Sequence, residues 1–264
     1  MRTINTVRCS LIRDHMDASR TKRVLLPLGA LLLICSVGSS FGQIDSAQLI
    51  DRNLSKPQTV SRNQLLAPGK ALRAVKRAYK DIAAGHFEAA QKEIGRALDI
   101  APHYAVAKVM QGAINLENKN YEGATAFFQQ AIDDDPGLGG AYVGMAVILI
   151  HQQRCQAALP LLDRAEGLLP GAWFVHFVKA WAELKTGNSE VALKQSDIAE
   201  GLAGADSNRR SGVSYLRALA FIRMNDLETA RRHLAETVAR DPGGDYAPLA
   251  KRELERLQPL LAAR

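Results

Sequence analysis

The sequence predicts an all-α fold, a right-handed superhelical solenoid of about five helix–turn–helix units closed by a C-terminal helix. Ala90, Ala124, Ala158 and Ala192 fall 34 residues apart, and Ala230 follows after 38. Pro102, Pro136 and Pro170 keep the same interval, with Pro242 taking up the longer last step. A fixed period of this size marks stacked supersecondary units, each contacting mainly its neighbours. Within a period, apolar residues recur at three- and four-residue steps, the helical spacing.

Residues 1–42 come first in the chain and are expected to be a signal peptide or a signal anchor. A basic stretch ending in Arg20-Thr21-Lys22-Arg23 precedes the apolar run Val24–Val37 and the small residues around Gly38–Gly42. That is the three-part layout of a secretory leader, with a cleavage point after Gly42. The uncharged stretch 24–41 is 18 residues long, at the lower edge of a membrane span, so a retained anchor is the alternative. Met16 is an alternative start. Ile34 before Cys35 is too bulky for a lipoprotein motif. Of the formal charge of +7, the leader supplies six basic and two acidic groups, which leaves +3 for the rest. No basic block interleaved with aromatics is present, so a nucleic-acid partner is not expected.

Residues 43–69, polar and without periodicity, read as a flexible spacer. The repeats then occupy 70–244. With the closing proline as position 32, units run 71–104, 105–138, 139–172, 173–206 and 211–244, with an insert Ser207–Arg210 before the last. Position 8 is Ala78, Gly112, Ala146, Ala180 and Ala218, and position 27 is Ala97, Ala131, Ala165, Ala199 and Thr237. With the alanines of position 20, these small residues mark where helices approach closely and where a larger side chain would overpack. Larger apolar residues lie between them: Ile94, Phe128, Leu162 and Leu234 at position 24, and Phe87, Tyr121, Cys155 and Leu227 at position 17. Ser196 and Ser189 are the exceptions. Gly85 and Gly187 fall near position 15, where a first helix must stop. Residues 245–264 hold one more amphipathic helix, Tyr246–Leu261, expected to cap the last repeat.

This pattern resembles the tetratricopeptide repeat over residues 71–244. It departs from the family at position 4, where tryptophan is favoured and Ala74, Lys108, Tyr142, His176 and Ser214 stand, and in unit 4, where Gly204 replaces the proline. The resemblance implies a concave groove lined by first-helix residues. Here these include Tyr79, Val109, His151, Phe174, Phe177, Trp181, Lys185, Tyr215 and Arg223, an aromatic set richest in unit 4. One branch of the family clamps a peptide carboxylate with lysine at position 5 and asparagine at position 9. Val75 and Tyr79 occupy those positions, so that clamp is not implied.

The chemistry-bearing residues read blandly. Cys155 occupies a packing position and, past the leader, is the only cysteine, so no internal disulfide is available. The histidines show no metal-ligand spacing, Asp133-Asp134-Asp135 reads as a solvated charge run, and no phosphate loop exists, so no catalytic residue, metal or cofactor is expected. The expected role is a non-enzymatic scaffold for a protein or peptide ligand, exported and acting as an assembly or adaptor factor in a bacterial periplasm or envelope. The alternative is an enzyme or small-molecule binder that uses the groove around His151, His176 and Trp181.

Overall fold

Periodic apolar positions of this kind yield helices only, and the computed structural model describes eleven of them across residues 67–262. They are α1 (Gly69–Ala83), α2 (Phe87–Ile100), α3 (Ala105–Glu117), α4 (Tyr121–Asp134), α5 (Gly139–His151), α6 (Cys155–Leu168), α7 (Trp173–Thr186), α8 (Ser189–Leu202), α9 (Ser207–Met224), α10 (Leu227–Arg240) and α11 (Ala247–Ala262). The fold class is the all-α solenoid of helix pairs. The leader, with its run 24–41, Met16 and Cys35, lies outside the described residues, as does most of the segment 43–69. Among the described residues no helix is long and apolar enough to cross a membrane.

The chain divides into two compact bodies. One comprises residues 67–148 with 163–168, and the other 149–162 with 169–262. In the first, α1 packs on α2, α2 on α3 and α3 on α4. In the second, α7 packs on α8, α8 on α9, α9 on α10 and α10 on α11. Every second helix begins at position 17 and ends at position 30 of its unit. The insert Ser207–Arg210 is not a loop: it forms the first turn of α9, which Asp206 caps by accepting a hydrogen bond from the Arg209 N–H at 3.0 Å.

Close approach accounts for the small residues. All five alanines of position 20 are fully buried, as are the four alanines of position 8 and every residue of position 27. Unit 2 solves the packing differently from unit 1. Its position 24 carries the fully buried Phe128, and the ring takes the space that a Cβ on Gly112 or Gly144 would need. Unit 1 puts Ile94 at the same place and Ala78 at position 8, in one core cluster with Met110.

Each first helix of the five units stops in the same way. Position 15 adopts a left-handed backbone every time: Gly85 (φ 77°), Lys119 (58°), Gln153 (61°), Gly187 (105°) and Asn225 (67°). Glycine and asparagine tolerate this conformation, whereas lysine and glutamine are strained in it by Cβ crowding. The chain then reverses, and the amide of the next residue returns to a carbonyl of the helix just ended. Asn120 reaches Asn115, Arg154 reaches Leu149 and Asp226 reaches Phe221.

Candidate functional site

The groove positions fall on both bodies, Tyr79 and Val109 on the first and the other seven on the second. On the second body they separate into a sealed aromatic cluster and an accessible basic rim.

The aromatic cluster is built around a residue that the groove reading did not include. Tyr246, just before α11, sits 5.8 Å from the Tyr215 ring and 6.4 Å edge-on to Phe177. Its ring also fills the space beside Gly212, where an added Cβ would meet it at 2.7 Å. Trp173 closes the other side at 5.5 Å from Phe177, with the Arg209 guanidinium 5.5 Å from its ring. Phe177 and Tyr215 are therefore 2 % and 1 % exposed; Phe174 is 2 % exposed as well, and Val109 is 1 % exposed in the core of the first body. These four of the nine groove residues are packing residues that a ligand does not reach. The signal was in the period itself: 245 would open a sixth unit, placing Tyr246 at position 2 of another first helix. Burial pushes the phenols of Tyr215 and Tyr246 well above their ordinary pKa, so both stay protonated.

Tyr79, His151, Trp181, Lys185 and Arg223 keep part of their surface accessible. On α7, Trp181 and Lys185 are one turn apart and share a face. Arg223, in the last turn of α9, lies over the end of α7, its Nη2 at 3.3 Å from where a Cβ on Gly187 would stand. Burial holds the Lys185 ammonium below its usual pKa; the neighbouring Cys155 opposes that shift and Arg223 adds to it. Two cations at the ends of adjacent helices also favour the negative pole of each helix dipole.

Of the alternative centre around His151, His176 and Trp181, His176 is withdrawn from the surface. His176 is 3 % exposed and its Nδ1 lies 2.9 Å from Gln195 Oε1 on α8, so it packs between helices. Cys155 is buried and its thiol is pushed up by that burial, the reverse of what a nucleophile needs. Among the described residues no three His, Cys, Asp or Glu side chains converge to hold a metal. The acidic run is not a merely solvated one. Asp134 binds His103 Nδ1 at 2.8 Å and Lys108 Nζ, while Asp135 is buried and accepts from the Gly137 N–H at 3.1 Å. Burial opposes ionisation of Asp134, and the hydrogen bonds from Lys108 and His103 outweigh it, holding its pKa below the usual value.

With this geometry in hand, comparison with known families is decisive for the fold. Two tetratricopeptide-repeat family profiles match, over residues 70–138 and 115–172. Residues 70–172 match tetratricopeptide repeats. Proteins built from them generally mediate protein–protein interactions. Comparison with curated proteins finds no match. Among solved structures the chain is similar to PilW, a widely conserved type IV pilus biogenesis factor. That match has a TM-score of 0.59 and 16% identity, over 66% of this chain and 79% of the other. It is similar also to TTC0263, a thermophilic tetratricopeptide-repeat protein of Thermus thermophilus, with TM-score 0.57, 17% identity and coverage of 66% and 92%. A third is MamA of Desulfovibrio magneticus RS-1, with TM-score 0.52, 16% identity and coverage of 73% and 98%. At these identities the likeness speaks for the fold.

Proposed function

We propose that the protein is a non-enzymatic scaffold that holds a protein or peptide partner against the rim formed by Trp181, Lys185 and Arg223. The observation that carries this reading is selective exposure. The second body buries Phe174, Phe177 and Tyr215 almost completely yet leaves Trp181 accessible beside two cations. An accessible tryptophan next to fixed positive charge suits a segment bearing an apolar side chain and a carboxylate. The tethering groups available are cationic donors and an aromatic face.

The leader supports export, and the structural likeness to a pilus biogenesis factor accords with an assembly or adaptor role in a bacterial periplasm or envelope. Tagged protein isolated from its native host tests both parts. The mature chain should begin near Gln43; a species still carrying 24–41 would mean a retained anchor. The co-purified partner should bind the Trp181→Ala protein at least about thirtyfold more weakly, the loss of a hot-spot tryptophan, with helical content unchanged. If that protein melts instead, Trp181 is a packing residue. If it folds and binds normally, the partner uses another surface.

A further inference from the structure

The first helix carries an unusual charge pattern. Within eleven residues α1 places Lys70, Arg73, Lys76, Arg77 and Lys80, all exposed. At 3.6 residues per turn these five span an arc of roughly 120°. The buried residues Ala71, Ala74, Val75, Ala78 and Ile82 occupy the opposite side. Only Arg77 is neutralised, by Glu93 of α2 at 2.7 Å. Lys70, Arg73, Lys76 and Lys80 make no ion pair among the described residues.

Helix α9 carries cations at only two of these five unit positions, the counterparts of Arg73, Lys76 and Lys80 being the buried Val213, Leu216 and Ala220. Its Arg210 and Arg217, at the unit positions of Lys70 and Arg77, bind acids of the preceding helix α8. Arg210 reaches Glu200 at 2.9 Å, and Arg217 reaches Asp197 at 2.6 Å. No described helix precedes α1 to supply such acids. By composition, residues 43–66 hold two acids, Asp45 and Asp51, against three bases, Arg52, Lys56 and Arg62.

We propose that the basic face of α1 adsorbs to an anionic lipid surface. Charge complementarity is the whole of the attraction, because the apolar side of α1 is committed to the core and nothing apolar interrupts the basic arc. A docked protein helix would find no apolar surface there to bury, whereas a plane of anionic headgroups needs none. A single-stranded nucleic acid would want aromatic platforms among the cations, and the arc has none. The apolar stretch 24–41 ends 28 residues before Gly69, a reach of at most about 100 Å, so a retained leader would hold α1 within range of a membrane, and after cleavage the basic face would have to find the surface unaided. The proposal concerns α1 and does not rest on the partner reading of the Trp181 rim.

The test is flotation of the full chain, as isolated from its host, with vesicles of phosphatidylcholine alone or with 30 mol % phosphatidylglycerol (about a third of the lipid, giving a surface potential of the order that polybasic segments sense). Binding should require the anionic lipid and vanish in about 0.5 M salt, where the screening length falls to a few ångströms. Each basic residue near such a surface multiplies affinity by roughly fivefold, so Arg73→Gln/Lys76→Gln/Lys80→Gln should bind about a hundredfold more weakly. A control, Lys92→Gln/Lys194→Gln/Lys251→Gln, removes the same charge from scattered exposed positions and should change binding less than about threefold. Equal flotation with both lipids, equal loss in both variants, or capture by duplex DNA without vesicle binding would each overturn the proposal. All substitutions are on the surface, and the salt titration of the unaltered protein stands even if a variant misfolds.

Discussion

Gly112→Ala probes how the first body is packed, and its sign depends on one ring. A Cβ at 112 would stand 2.8 Å from Phe128 Cε1, with two more ring atoms at 3.0 and 3.1 Å. Phe128 is fully buried, and Gly144 backs the ring so closely that it has nowhere to retreat. Inside α3, alanine gains about 1 kcal/mol of helix propensity over glycine. Overpacking of a filled core costs about 1–3 kcal/mol. The net expectation is a loss of up to about 2 kcal/mol. Phe128→Ile imports the arrangement of unit 1, where Ile94 stands with Ala78, and opens the space. In that background Gly112→Ala should stabilise by about 1 kcal/mol, a coupling of about 1–3 kcal/mol between the two sites. Urea denaturation of the four proteins measures it. Stabilisation by about 1 kcal/mol in both backgrounds would show that the ring does not occupy that space.

Two further outcomes follow from the backbone and the buried phenols. Lys119→Gly relieves a left-handed lysine at the end of α3, and should raise stability by about 0.5–1 kcal/mol after allowing for glycine's greater freedom when unfolded, read as an increased thermal midpoint. The raised pKa of Tyr246 gives a definite sign with pH. Its neutral form is held by the fold, while the unfolded chain ionises it near pH 10, so its contribution is complete below that pH and is lost as pH rises above it. Tyr246→Phe should flatten the alkaline fall in stability by up to about 1.4 kcal/mol per pH unit, measured by denaturation between about pH 9 and 11.5. An unchanged slope would place the phenol in solvent.

The sequence by itself determined the helix pairs, their phase and the fully buried small positions. These depend on periods of three, four and 34 residues, and a period is a local property that survives any change of neighbour. Gly85 and Gly187 likewise announced where a first helix ends. Lys119 and Gln153 did not, because their left-handed turns are imposed by the packing of the helices on either side, against the preference of the residues themselves. Tertiary structure alone decided which groove residues a ligand meets. Phe177 and Tyr215 look like Trp181 in the repeat register, yet Tyr246 seals the first two and leaves the third accessible. The same holds for charge: Lys70 and Arg210 stand at equivalent positions of α1 and α9, and the acid of α8 pairs only the second. Burial and pairing are set by side chains tens of residues away, so they are settled when helices stack and not when they form.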